Sequence, residues 1–145
     1  MKTLIISTIV ILFAFMQIQA QESTVPFKKC NTIEVQGGSL KEFAKYLQSE
    51  GITIENYNND IETLRSGPFE LWKASNHTGT IIAYINNNIL TVTGEAMVES
   101  FGSKVVDKIE QRGTGNMNGK AFYIINELVV KYAQKHNYPL NYQKL

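Results

Sequence analysis

TIIAYINNNILTVT, residues 80–93, decides the fold. Two β-branched runs, 80–85 and 89–93, flank Asn86-Asn87-Asn88. Asparagine tolerates the positive φ angles that a tight hairpin turn demands, so the stretch predicts two antiparallel strands. Alternation sets the faces: Ile81, Ala83 and Ile85 share one side, as do Leu90 and Val92.

Upstream, residues 61–66 predict a strand ended by Gly67-Pro68, which 69–73 extends after the break with Trp72 as a large apolar anchor. Residues 75–79 read as a polar loop. Ile52 and Ile54 mark a strand over 52–57, and Asn58-Asn59-Asp60 is turn chemistry, because these side chains bond their own backbone. Ser39 with Glu42 forms a capping box for a helix over 39–50. Leu40, Phe43, Ala44 and Leu47 line one face of it, and Gly51 suits a left-handed end. Before it, Ile33 and Val35 alternate in a strand that Gly37-Gly38 breaks.

Downstream, residues 95–111 admit two readings. Val98, Phe101, Val105 and Ile109 fit a helical stripe, but Gly102 interrupts it. The preferred reading is a mobile loop through Gly102 and then a strand over 104–111. A glycine-rich stretch, 113–119, leads to a helix over 120–136 with Ala121, Ile125, Leu128, Val129 and Tyr132 inside. Lys131, Lys135 and His136 favour the negative end of its dipole, and Asn137 and Pro139 stop it. The order β-α-β-β-β-β-β-α predicts an α+β fold, an antiparallel sheet with two helices on one face. Phe43, Leu47, Ile54, Ile81, Ile85, Val92, Ile125 and Leu128 are its expected core.

The chain opens with the pattern of a secretory signal peptide over residues 1–20. Lys2 precedes an apolar run over 4–16, and a short stretch ends in the small Ala20 before Gln21. That run is too short to span a bilayer, so no transmembrane segment is expected after cleavage. A lipoprotein would carry its cysteine just after the run, and Cys30 lies well downstream behind Pro26-Phe27-Lys28-Lys29. Residues 21–30 read as a leader and 31–145 as a single domain. The signal takes one of 14 basic residues and none of 13 acidic ones, leaving a formally neutral remainder. Neutrality argues against a general grip on nucleic acid or anionic membrane. One cysteine makes no internal disulfide, so packing must hold the fold.

Catalytic motifs are not found. Gly113-Thr114-Gly115-Asn116-Met117-Asn118 places Asn118 where a dinucleotide fingerprint needs glycine, and Gly119-Lys120-Ala121 lacks the phosphate-loop hydroxyl. No cofactor is expected. His77, His136 and Cys30 are too scattered for a zinc site, which takes three or four ligands. Asn76-His77-Thr78 is a glycosylation sequon with meaning only in a eukaryotic pathway. The carboxylates Glu55, Asp60, Glu62, Glu95 and Glu99 offer pairs for hydrolysis across a cleft, or equally a solvated face.

Residues 32–35, the helix after them, EGITIENYNNDIETLRSGP, the hairpin IIAYINNNILTVTG and QRGTGNMNGKAFYIINELV together resemble small exported domains of unknown function from Gram-negative bacteria. Those domains in turn resemble the helix-grip domains of a lipoprotein in the outer-membrane β-barrel assembly machinery. The resemblance implies a periplasmic or extracellular address and transfers no site residues. Three function classes follow. The first is a binding module for an envelope protein or small ligand, with Trp72, Arg65, Tyr138 and Tyr142 as candidate anchors, since aromatics and arginine concentrate binding energy. The others are a small hydrolase using dispersed carboxylates or Cys30, and an accessory of envelope assembly.

Overall fold

Asn87 and Asn88 take φ of 49° and 64°, the left-handed pair a two-residue hairpin turn requires, and around them the central ladder forms. The structure is a computed structural model describing residues 26–73 and 75–145, so the expected signal peptide lies outside the described residues. Its elements are β1 (Thr32–Gln36), α1 (Leu40–Ser49), β2 (Ile54–Asn58), β3 (Thr63–Ser66), β4 (Phe69–Glu70), β5 (His77–Asn86), β6 (Ile89–Ser100), β7 (Ser103–Lys108), α2 (Met117–His136) and β8 (Leu140–Gln143). The fold is α+β, with an eight-stranded antiparallel sheet in the order β2-β3-β5-β6-β1-β8; β4 adds to β5 and β7 to β6.

Register makes the two faces chemically distinct. Leu64, Ala83, Val92, Ile33 and Tyr142 stand directly opposite one another across five strands, and all five are buried. The adjacent row on the other face reads Thr63, Tyr84, Thr91, Glu34, Asn141. Both helices cover the apolar face: α2 packs on β6, β5 and β1, α1 on β2, β3 and β5, and the helices meet where Phe43 and Tyr46 contact Tyr132. Phe43, Leu47, Ile81, Val92, Ile125 and Leu128 are buried there as expected, while Ile54 and Ile85 are partly buried at its margin.

The helix ends use different partners from those the sequence suggests. Ser39 Oγ accepts the Glu42 N–H at 3.4 Å, but the Ser39 N–H is satisfied by Tyr132 Oη at 3.2 Å rather than by the Glu42 carboxylate. Tyr132 Oη also donates to Ser39 O at 3.3 Å, so one phenol fastens the start of α1 to α2. The second helix begins at Met117 rather than at 120, because Asn116 Oδ1 caps it by accepting the Gly119 N–H at 2.9 Å.

Three further expectations are corrected. Residues 77–79 are the start of β5, not loop, since they pair with Val98, Met97 and Ala96. Residues 95–100 are neither helix nor loop but the second half of β6, turning through Phe101-Gly102 into β7. Past the last helix, β8 pairs with β1 where no strand was expected. The end of the expected leader is also stitched in: the Lys29 N–H donates to Gln111 O at 2.9 Å, the Gln111 N–H to Cys30 O at 2.8 Å, and Cys30 is fully buried.

Candidate functional site

Strand β6 has twelve residues and two different neighbours on one edge. Its first half pairs with β1 and its second half with β7. The change falls at Thr93–Gly94, where Thr93 Oγ1 donates to Asn31 O and the Ile109 N–H donates to Gly94 O. Beyond that point β4 and β7 flank the continuing β5–β6 ladder; this end of the sheet, the arm, keeps Ala96 in the core. Every residue of β7 is exposed.

The arm carries apolar groups at the margin of the core and beyond it. On the helix side His77, Val98 and Val105 lie directly opposite one another across three strands. Trp72 meets His77 edge-on, with ring centroids 5.2 Å apart. Val105 is 52% exposed. On the other side Met97 opposes Val106, bracketed by the opposite charges Glu95–Lys108 and Glu99–Lys104.

At the tip Phe101 is fully exposed, with φ of 48°, followed by Gly102 at 79°. A bulky side chain in left-handed geometry is unfavourable by about 1–2 kcal/mol. Among the described residues the other non-glycine positions with positive φ are Lys29, Glu62 and three asparagines. The tip is thus a place where solvation and backbone preference both run against the residue present. Sequence reasoning left Phe101 either in a helical stripe or, by preference, in a mobile loop; the signal that could have found the turn is the glycine after it, flanked by two runs that pair in register.

The four expected anchors are dispersed. Trp72 is partly buried on the arm. Arg65 projects from β3 on the helix-free face and its Nη2 reaches Glu95 Oε2 at 2.7 Å. Tyr138 stacks on His136 at 5.3 Å and tilts against Tyr132, at the junction of α2 and β8. Tyr142, a candidate anchor from the sequence, is buried in the sheet, and its hydroxyl bonds Asn126 Oδ1 at 2.8 Å. Burial pushes its phenol above the ordinary range. It belongs to the core because β8 continues the sheet.

The groups proposed for chemistry are dispersed as well. Burial pushes the Cys30 thiol up, away from the thiolate a nucleophile needs. Glu62 lines a cavity of about 290 Å³ beside the start of α1, with Lys41, Tyr57 and Asn88. Glu95 lies on the helix-free face in another of about 160 Å³, with Tyr84, Thr93 and Lys108, and is already held by Arg65. Among the described residues no group of three His, Cys, Asp or Glu side chains is placed to hold a metal, and no helix is long and apolar enough to cross a membrane. No family model matches the chain, and no curated protein matches it.

Proposed function

We propose that the protein is an exported interaction module of the bacterial envelope that binds its partner through the β5–β6–β7 arm. The observation that carries this reading is Phe101, a fully exposed aromatic held at an unfavourable φ on a hairpin tip. Backbone strain persists where surrounding structure over-determines it, and it clusters at functional positions. Trp72, Val98 and Val105 extend the apolar surface back from that tip, and aromatics of this kind are the usual anchors of an interface. The signal-like residues 1–20 support export to the periplasm or beyond. Two helices gripping one face of an antiparallel sheet accord with the resemblance to domains of the assembly machinery, and an accessory role there is one form of this function.

Replacing Phe101 tests the reading without harming the fold. Asparagine accepts left-handed geometry, so Phe101→Asn should raise stability by about 1–2 kcal/mol while weakening capture of the partner. Trp72→Ala should weaken capture too. The measurement is cross-linking and pull-down from the native envelope, beside urea unfolding of each variant. Capture that is indifferent to both substitutions, together with hydrolytic turnover abolished by Glu62→Gln or Cys30→Ser, would favour the hydrolase instead.

A further inference from the structure

Strand β7 bonds β6 on one side only. The Ile109 N–H donates to Gly94 O, and antiparallel bonding alternates along a strand, so Ser103, Val105 and Asp107 bond inward. Lys104, Val106 and Lys108 therefore aim their N–H and C=O groups outward, and no other segment among the described residues pairs with them. Such an edge is a template for another strand unless something blunts it.

We propose that the occupant of this edge is a second copy of the chain, joined β7 to β7 about a two-fold axis through Val105; the inference rests on the arm being the interaction surface. The sequence of β7 selects that register. A two-fold axis perpendicular to the sheet must pass through a residue pair of like facing, so the strand can centre on Lys104, Val105, Val106 or Asp107. Centring on Lys104 sets lysine against lysine, and centring on Asp107 sets aspartate against aspartate. Centring on Val106 brings Lys104 opposite Lys108 of the partner subunit. Only the Val105 register opposes no like charges: Lys104 faces Val106 of the partner subunit, and Ser103 faces Asp107 of the partner subunit. Like charges directly opposite are destabilising, so the lysines that would blunt this edge instead choose one alignment.

The same register satisfies the backbone and the apolar surface. Lys104 and Val106 of the partner subunit both aim outward, so they form a bonded pair. Val105 then meets its symmetry mate, and the row His77, Val98, Val105 runs unbroken from one copy into the other. Each hairpin tip comes to lie alongside the backbone at Ile109 of the partner subunit, so Phe101 sits at the end of the joint. A strand edge this short makes an interface at the small, reversible end of the range.

Cysteine placement tests the register on protein purified from exporting cells. Val105 would occupy a non-bonded pair with a Cα separation of about 4.5 Å, within disulfide reach, whereas Val106 and Lys104 would not face their own mates. Mild oxidation should convert V105C to a covalent dimer at least tenfold faster than V106C or K104C. The native Cys30 is buried and does not compete. Val106→Pro deletes an outward N–H and spares the β6 ladder, so it should remove the concentration-dependent dimer from sedimentation profiles with the circular dichroism unchanged. A wild-type chain monomeric at every concentration, equal cross-linking at the three positions, or a dimer that survives Val106→Pro would each overturn the proposal. A monomer whose capture of an envelope protein still falls with Phe101→Asn would end the self-pairing and leave the interaction module standing.

Discussion

Gly94 shows how much one missing carbon decides. It sits where β6 changes partners, on the helix-covered face opposite Ile81, and a Cβ there would stand 2.4 Å from Thr80 O and 2.6 Å from Ile125 Cδ1. The helix crosses the sheet at that point because nothing projects from it. Gly94→Ala should therefore cost about 1–3 kcal/mol through overpacking, read as a lower urea midpoint with an unchanged slope. An unchanged midpoint would mean that α2 does not press on this strand. At the same scale, Leu47 and Val92 were legible as core because alternation and helical spacing name a face. Gly94 was not, since its importance lies in what stands above it. Arg65 was visible as a charge, but its partner Glu95 is thirty positions away on another strand and no local pattern links them.

Elements were legible where a local signal and the tertiary role agree. The Asn86-Asn87-Asn88 hairpin and the Ser39 helix each rest on chemistry within a few residues. The β6–β7 hairpin failed that test, because Val98, Phe101 and Val105 satisfy helical spacing and a strand's composition equally well. What decides it is the pairing of Glu95–Ser100 with Ser103–Lys108 around a turn whose first residue is an unsuitable phenylalanine. β8 was invisible for a different reason: four residues behind a proline make a strand only when Ile33 and Val35 are waiting for them. The contact between the helices yields a prediction. Burial raises the phenols of Tyr132 and Tyr46 to about 12, with Glu50 and Glu127 adding to the effect at Tyr46. Because the fold holds both above their ordinary value of about 10, their contribution is fully present below pH 10 and drains away as pH rises towards 12. Urea titrations from pH 8 to pH 12 should show that decline. Tyr132→Phe should start lower, having lost both bonds to Ser39, and decline less steeply. A slope equal to wild type would assign the titration elsewhere.

The whole molecule combines a helix-covered body with an arm whose last strand, β7, is exposed throughout. Composition spoke to the body: a chain of this length can bury a core without disulfides, and its near-neutral charge of +1 leaves association to shape and apolar contact. Nothing in composition announces an arm, since a protruding hairpin uses the same residue types as a buried one. Export gives the prediction proper to this scale. Cleavage after Ala20, the small residue that ends the signal-like stretch, should yield a mature protein beginning at Gln21, checked by the intact mass of the exported product. A secreted species that keeps residues 1–16 would refute it.

Cys30 closes the seam between the first strand and the segment after β7, wholly out of reach of solvent and with its thiol held in the protonated form. Were the chain to meet an oxidising compartment, that arrangement would work as a tamper seal. While the seam is shut the sulfur is chemically silent, and each time β1 lifts from its neighbours it is offered to whatever oxidant is present. A molecule that has once come apart at this seam can thus be marked, reversibly by a mixed disulfide or for good by a sulfinic or sulfonic acid too large for the sulfur's former place. Damaged copies would be told from intact ones by a single atom.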